Sequence, residues 1–184
     1  MNYCSLCGGP ITLQIPAGDN RERHVCNHCG SIFYQNPKIV AGTLPVHQGK
    51  ILLCKRAIEP RKGYWTLPGG FMENGEGTEQ AALRETREEA CAEVTIRSLF
   101  AMISVTHISQ VHLFFLADLP KPEFSSGEES LDVRLFAPDE IPWDELAFST
   151  VEQTLRRYLE APDLQGAMHI FSIHNNHGGV QKVD

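Results

Sequence analysis

Two Cys-x-x-Cys pairs near the N-terminus constrain how this chain can fold. Cys4 pairs with Cys7 and Cys26 with Cys29, eighteen residues separate the two pairs, and each pair is followed directly by glycine. Two residues between cysteines let both thiolates point at one metal ion, and the glycine lets the backbone turn tightly beneath them. This spacing predicts a structural Zn²⁺ site with four thiolate ligands.

Disulfides and redox pairs are the alternative interpretations of these cysteines. The N-terminus has no basic stretch followed by an apolar run, so we expect no secretory signal and a cytoplasmic location, where disulfides are disfavoured. A redox Cys-x-x-Cys normally lies between a strand and a helix, and residues 1–36 predict no helix. We therefore expect zinc to hold residues 1–36 folded, with His24 and His28 as bystanders.

Length and charge limit the remaining possibilities. The 184 residues allow one core domain and a small accessory module. The longest apolar run, residues 111–117 with His112 inside it, is shorter than the roughly 18 residues that cross a bilayer, so no membrane segment is expected. The net charge of -7 argues against a general nucleic-acid surface. If the ligand carries phosphates, a metal must supply the positive charge.

Hydrophobic patterning predicts an α/β core after residue 37. We expect a hairpin over residues 39–46 and 51–54, a turn-rich loop over 57–77, and a helix over 78–90 with Thr78 as its N-cap. β-Rich runs follow over 94–119, then a polar loop over 121–129, a strand over 133–136 and a helix over 151–159. Cys54 and Cys91 are expected to pack in the core, and the residues from 165, with His169, His174 and His177, to form a solvated tail.

Three glutamates share one face of the predicted helix. Glu85, Glu88 and Glu89 are spaced i, i+3 and i+4, so their carboxylates fall within about one turn and repel one another. A solvated helix face, with Arg84 and Arg87 nearby, is one explanation. A bound cation that offsets the repulsion is the other.

The loop before this helix favours the cation. Gly69 and Gly70 permit backbone conformations closed to other residues, so a carbonyl oxygen can turn toward the helix as one more hard ligand. Oxygen donors are what Mg²⁺ prefers. Glu76 precedes the helix, and we expect it to pair with Arg84 and to fix where Arg84 points.

Gly70, Glu76 and the run of residues 84–89 together resemble the Nudix box of the Nudix hydrolases. Every charged position of that motif is present at the correct spacing. Thr86 stands where an aliphatic residue is usual and should face the sheet, whereas Cys91 and Ala92 replace a glycine and an aliphatic residue and affect how the helix ends. The resemblance implies an α/β/α sandwich around a mixed sheet, preceded by a small zinc ribbon.

The same resemblance implies site residues and a reaction. Glu85, Glu88 and Glu89 are expected to bind Mg²⁺ or Mn²⁺ together with a backbone carbonyl near Gly70, and Glu76 with Arg84 to be an orienting pair. The implied reaction is attack of water on a nucleoside diphosphate linked to another moiety, giving a nucleoside monophosphate. The general base varies in this family. Glu128 and Glu129 are our candidates, although they can equally form a solvated acidic loop.

Residues outside the box extend the resemblance to a zinc-ribbon branch that includes plastid-type FAD and ADP-ribose pyrophosphatases. They are the two cysteine pairs and residues 34–38, 53–56, 64–70, 129–136 and 147–149. NADH pyrophosphatases also carry a zinc ribbon, but their Ser-Gln-Pro-Trp-Pro-Phe-Pro array is missing here. The downstream proline of ADP-ribose-selective members is missing too. We therefore expect FAD or a related dinucleotide as substrate, with ADP-ribose next.

Aromatic and basic residues near the glycine-rich loop are candidates for binding the substrate. Tyr64, Trp65 and Phe71 can stack on a ring, although packing explains Trp65 equally well, and Lys55 and Arg56 can meet phosphate or be plain surface residues. We expect a zinc ribbon over 1–36, a Nudix domain over 37–164 and a tail over 165–184, with no nucleic-acid partner and a possible homodimer. A nucleotide-sensing module without catalysis and a purely structural zinc protein are the competing functions. The first has no need for three repelling carboxylates, and the second leaves residues 69–89 unexplained.

Overall fold

The structure is a computed structural model that describes residues 1–160, 167–174 and 180–182. The chain divides into two compact units, Met1–Pro37 and Lys38–Asp184. The first unit is a three-stranded antiparallel sheet of β1 (Ile11–Gln14), β2 (Arg23–Cys26) and β3 (Ile32–Phe33). Cys4 and Cys26 are buried, and each belongs to a turn that carries a cysteine pair.

The second unit is built on a nine-stranded mixed sheet. Seven strands run across it in the order β10-β5-β4-β9-β8-β11-β12, while β6 pairs with β5 and β7 pairs with β4. β4 is parallel to β9, β8 is antiparallel to β9, and β11 is parallel to β8. The strands are β4 (Lys38–His47), β5 (Lys50–Arg56), β6 (Trp65–Thr66), β7 (Gly69–Phe71), β8 (Thr95–Val105), β9 (Gln110–Asp118), β10 (Ser130–Phe136), β11 (His169–Ile173) and β12 (Val180–Lys182).

A helix covers each face of this sheet. α1 (Thr78–Ala90) packs its alanines, Ala81 and Ala82, against Ala41 and Phe115, and small side chains let the helix approach the sheet closely. α2 (Ser149–Glu160) packs Val151 and Leu155 into the main core on the opposite face. The expected α/β/α sandwich is therefore confirmed. Within the described residues, no helix is long and apolar enough to cross a bilayer.

Several expectations about the elements are confirmed and others need correction. The hairpin, the helix over 78–90 and the β-rich runs over 94–119 are present, the last as β8 and β9 with a 3-10 turn over Thr106–Ile108 between them. Gly77 rather than Thr78 occupies the N-cap, and its N–H donates to the side chain of Gln80 at 2.8 Å. The predicted loop over 57–77 contains the short strands β6 and β7, whose brevity hid them in a glycine-rich sequence.

The expectation of a solvated tail is wrong for residues 169–173. They form β11 beside β8, with Phe171 and Ile173 each 1% exposed, because this segment offers apolar side chains at alternate positions to the main core. His169 is part of this strand and His174 directly follows it, whereas His177 lies outside the described residues. The expectation that Cys91 packs in the core is also wrong, because Cys91 is exposed and ends α1 with a left-handed backbone conformation. Cys54 is buried, as expected.

Candidate active site

The four N-terminal cysteines gather into one cluster. Their sulfur atoms all lie within 4.8 Å of one another, and the cluster found among the described residues contains no histidine. The distances from Cys4 to Cys29 and from Cys7 to Cys26 are 3.7 and 3.5 Å, beyond the roughly 2.05 Å of a disulfide bond. This is the arrangement that a tetrahedral Zn²⁺ site requires.

Matched turns build this cluster. Gly8 follows Cys7 with φ 72° and donates its N–H to the carbonyl of Cys4, and Gly30 follows Cys29 with φ 71° and donates to the carbonyl of Cys26. The expected role of the glycines is therefore confirmed. Hydrogen bonds from Ser31 lower the pKa of Cys29 to about 6, which favours the thiolate form that binds metal.

Helix α1 carries the second candidate metal centre. Thr86 is fully buried against the sheet, and its hydroxyl lies 2.7 Å from the hydroxyl of Thr43 on β4 while donating to the carbonyl of Ala82. Thr86 therefore faces the sheet, as expected from its place in the motif. This contact fixes the rotation of α1, and with it the direction of Glu85, Glu88 and Glu89.

Strand β7 approaches this helix more closely than a side chain would permit. A Cβ atom on Gly70 would lie 2.5 Å from a carboxylate oxygen of Glu85, and the N–H of Gly69 donates to Oε2 of Glu89 at 3.1 Å. Both glycines are extended residues of a strand, so the expectation of a special backbone conformation is wrong. Glycine is needed here because of space. Metal binding by the Gly70 carbonyl stays a prediction.

Arg84 ties the carboxylates together. Its guanidinium donates to Glu76 at 2.7 and 3.1 Å, to Glu85 at 2.7 Å and to Glu88 at 3.0 Å, and also to the carbonyl of Phe71 at 3.1 Å. The predicted pairing of Glu76 with Arg84 is therefore present. Hydrogen bonding to Arg84 lowers the pKa of Glu76 to about 2, so Glu76 stays charged and anchors the arginine.

Glu89 is the buried member of the three helix glutamates. It is 6% exposed, and burial raises its pKa to about 8, with the charges of Glu85 and Glu129 acting in the same direction. Burial also raises the pKa of Glu85. Carboxyl groups held in this state favour a nearby cation, because a positive charge would stabilise their ionised form. A donor set made of carboxylate and carbonyl oxygens fits Mg²⁺ or Mn²⁺.

The acidic loop between β9 and β10 is fixed to the end of α1. The N–H groups of Ser125 and Gly127 donate to the carbonyls of Ala90 and Glu89 at 2.9 and 3.0 Å. A Cβ on Gly127 would overlap the carbonyl oxygen of Glu88. On the other side, the carbonyl of Glu129 accepts a hydrogen bond from Ala57 at 2.8 Å. The loop is therefore built into the fold, and it brings Glu128 and Glu129 to the same cleft as the helix glutamates.

These groups line a cleft with a volume of about 910 Å³. Ligand sites in proteins are typically about 300–1,000 Å³, so this cleft can hold a dinucleotide. Arg56 and Phe71 also line it, and their contact with the substrate stays a prediction. Nε of Arg56 donates a hydrogen bond to the carbonyl of Pro60 at 2.8 Å, and the guanidinium carbon of Arg56 lies 5.1 Å from the ring centre of Phe148.

Two expected substrate contacts lie elsewhere. Lys55 and Tyr64 are not among the residues that line the cleft. Lys55 precedes Arg56 on β5, so its side chain points to the other face of the sheet, where it lies 5.6 Å from the ring centre of Trp65. Tyr64 contacts Arg61. Trp65 is buried and packs edge-on against Phe136, so its role is packing.

Gln110 and His112 line the same cleft, although no motif marks them. Nε2 of His112 lies 2.9 Å from Oε1 of Gln110. Burial lowers the pKa of His112 to about 4, so its ring is neutral near pH 7. The available signal was a histidine inside the longest apolar run of the chain. Gly127 was also missed, because its contact with α1 is not local in sequence.

Comparisons with known proteins agree with both units. The model of the Nudix N-terminal zinc ribbon matches residues 2–35, and that of the NUDIX domain matches residues 37–159. A crystal structure of a NUDIX hydrolase from Nitrosomonas europaea is 50% identical, with a TM-score of 0.91 over 95% of this chain and 100% of that one.

Two curated relatives indicate the kind of reaction. An ADP-ribose pyrophosphatase from Methanocaldococcus jannaschii is 30% identical over 68% of this chain and 75% of its own length. A NAD-capped RNA hydrolase, NudC, from Vibrio vulnificus is 30% identical over 84% of this chain, which spans 59% of that protein. The chain thus belongs to the Nudix hydrolases, with a zinc ribbon of the Nudix type at its N-terminal end.

Proposed function

We propose that this protein hydrolyses the diphosphate of an ADP-linked substrate, FAD or ADP-ribose, to AMP and a second phosphorylated product. The observation that carries the proposal is the meeting of α1 and the acidic loop. Together they place Glu85, Glu88, Glu89 and Glu129 on one dinucleotide-sized cleft. The ADP-ribose pyrophosphatase relative supports the substrate class.

Glu85, Glu88, Glu89 and the Gly70 carbonyl would hold Mg²⁺ or Mn²⁺. Bound there, the metal supplies positive charge for the diphosphate oxygens and lowers the pKa of a water molecule. Glu88 is the most exposed of the three side chains, so it would be the ligand that most readily leaves and rejoins the metal. Arg84 keeps Glu85 and Glu88 in place through its anchor on Glu76.

Glu129 is our candidate for the general base, with Glu128 as its alternative. In the proposed reaction the base takes a proton from the attacking water, the new oxygen–phosphorus bond forms, and the bond from phosphorus to the bridging oxygen breaks. The products are AMP and the second phosphate ester. Arg56 lies on the same cleft and can meet a phosphate oxygen there.

The test is a substrate panel. The protein is incubated with FAD, ADP-ribose, NADH and a nucleoside triphosphate, each with Mg²⁺ or Mn²⁺, and the products are separated. AMP from FAD or ADP-ribose is the expected result. Absence of a nucleoside monophosphate from every substrate would contradict the proposal.

NADH hydrolysis is the second candidate. The NudC relatives, which are named for NAD-capped RNA, favour it, because their similarity extends over 84% of this chain. Faster release of AMP from NADH than from FAD and ADP-ribose would select this candidate.

The zinc ribbon has a structural role in this proposal. We assign the ribbon to residues 1–36 and the hydrolase domain to residues from 37 through at least Ile173. Metal analysis should find about one zinc per chain, as a four-cysteine site requires. Cys26→Ser should lose zinc and unfold the ribbon. Both tryptophans, Trp65 and Trp143, belong to the other unit, so their fluorescence should stay native. A variant that keeps its zinc would contradict this assignment.

A further inference from the structure

The candidate cleft has a second side that carries no carboxylate ligand. Val40 lies opposite Phe71 of β7 and opposite His112 of β9, so the three side chains form a row across three strands. Ala41 packs against α1, and neighbouring residues of a strand face opposite ways, so this row lies on the sheet face away from α1. The cleft therefore joins an acidic region at α1 to a region on the other face without carboxylates from α1, where Nζ of Lys38 lies 5.1 Å from the ring centre of Phe71.

This row leaves room for a flat ring. Phe71 and His112 are separated by two strand spacings, roughly 10 Å between backbones. Val40 forms the floor between them, and Phe71 presents an aromatic ring that is 49% exposed. A ring that rests on Val40 would contact Phe71 on one side and β9 on the other.

Gln110 supplies a directional polar group beside this row. It lies two residues before His112 on β9, so both side chains are on the same face. Oε1 of an amide can only accept, so the 2.9 Å contact means that Nε2 of His112 carries the proton. His112 therefore fixes which way the Gln110 amide points. The amide keeps one lone pair on Oε1 and both N–H groups for another partner.

The burial of His112 indicates that its polar ring has a use beyond packing. The residue is 9% exposed, and among the described residues its Nδ1 has no hydrogen-bond partner. Packing alone does not favour a histidine at this position, because burying a polar ring atom without a partner is costly. Holding the Gln110 amide in one orientation accounts for a polar ring at this position.

We propose that Gln110, oriented by His112, recognises the adenine ring of the substrate, with Phe71 and Val40 as its apolar contacts. Gln110 donates to a ring nitrogen and accepts from the exocyclic amino group, the pairing that an amide makes with adenine. Hypoxanthine has a carbonyl oxygen in place of that amino group, so it presents an acceptor to Oε1. Gln110 is thus the specificity residue, and His112 is a positioning residue.

The test compares adenine with hypoxanthine ligands, and it rests on the proposed function for its substrates. The dissociation constants of AMP and IMP are measured by calorimetry with Mg²⁺, and kcat and KM are measured with ADP-ribose and its hypoxanthine analogue. An amide pair contributes about 1–3 kcal/mol of discrimination, so the wild type should favour adenine by at least about fivefold. Gln110→Ala should bring both ratios within about twofold of one, raising KM for ADP-ribose with little change in kcat.

Two variants separate this role from a structural one. His112→Phe keeps a ring of similar size but removes the N–H that holds the amide, so the adenine preference should fall while kcat is kept. Gln153→Ala, on α2 and outside the cleft lining, is the matched control and should keep the wild-type ratios. Thermal melting verifies that each variant is folded.

The outcomes distinguish this inference from the proposed function. Hydrolysis of ADP-ribose or FAD with equal binding of AMP and IMP, or a preference that survives Gln110→Ala, would overturn the inference alone. A preference for AMP that is lost in Gln110→Ala, without hydrolysis of any substrate, would keep the inference and overturn the proposed function. Failure to bind either nucleotide would count against both.

Discussion

The main-chain N–H of Gly69 donates a hydrogen bond to the buried carboxyl of Glu89 at 3.1 Å. This bond joins the glycine strand to the acidic helix at the residue where a negative charge is most costly. One N–H group offsets only part of the burial, since the pKa of Glu89 is still raised to about 8. The protein therefore holds a carboxyl group whose ionised form is disfavoured by burial, in the position where a cation is expected.

Glu89→Gln should make the protein more stable in buffer without Mg²⁺ or Mn²⁺. The pKa of Glu89 is raised from 4.5, so the folded state holds a proton that the unfolded state releases, and stability is lost as pH rises from 4.5 to about 8. Glutamine cannot ionise. At pH 8 the variant should gain on the order of 1–3 kcal/mol, with a melting temperature roughly 2–4 °C higher per kcal/mol.

The same variant should lose activity by at least about 100-fold if Glu89 is a metal ligand. Glu79→Gln, at an exposed position of α1, is the control and should change neither melting nor activity by much. Full activity in Glu89→Gln would contradict the proposed mechanism. Equal melting of the wild type and the variant at pH 8 would contradict the argument from burial.

Gly70→Ala should reduce kcat/KM by about 100-fold while the protein stays folded. The new methyl group would lie 2.5 Å from the Glu85 carboxylate, which must then move, and a displacement of about 1 Å can cost a factor of this size. The displaced group is the end of a flexible side chain, so melting should change little. Asn74→Ala, at an exposed position nearby, provides the comparison. Wild-type metal affinity and activity in Gly70→Ala would contradict this prediction.

Gly127→Ala should separate the acidic loop from α1. Its Cβ would overlap the backbone of Glu88, which cannot give way, so the loop carrying Glu128 and Glu129 must shift. We expect a large fall in kcat and faster hydrogen exchange at Ser125 and Gly127, whose N–H groups bond to α1. Ser126→Ala leaves the backbone unchanged and should behave as wild type. Unaltered exchange and kcat in Gly127→Ala would show that the loop position does not matter.

His112→Phe should make stability less sensitive to acid. Burial lowers the pKa of His112 from 6.5 to about 4, so the unfolded state takes up a proton first and stability is lost as pH falls from 6.5 toward 4. Between pH 7.5 and pH 5.5, this one group should lower the free energy of unfolding of the wild type by about 1.4 kcal/mol. Denaturant unfolding of both proteins between pH 5 and 7.5 measures the difference. Parallel pH profiles would contradict the prediction.

The sequence was most informative where function requires a fixed local spacing. The four cysteines were brought together by two turns, and the three glutamates by the periodicity of one helix. Each group is clustered in the structure, as the spacing in the sequence predicted. Lys55 shows the limit of such arguments, because two adjacent basic residues of one strand point to opposite faces and the residues alone do not say which face is the cleft.

Contacts between distant segments account for what the sequence did not reveal. Glu129 is an acidic loop residue by composition, and its position depends on hydrogen bonds between the backbones of the loop and α1. The backbone conformation expected at Gly70 was wrong, since glycine is required there by the closeness of the Glu85 side chain, which arises from packing. β11 was missed because it pairs with β8, more than sixty residues earlier in the chain.

Strand β11 has a practical consequence for anyone who shortens this protein. The NUDIX family match ends at residue 159, yet Phe171 and Ile173 are buried beside β8 in the same core as α2. Expression of residues 37–159 alone would leave β8 as an open strand edge next to uncovered apolar side chains, a combination that promotes aggregation. The smallest soluble fragment of the hydrolase domain should therefore extend beyond the family boundary.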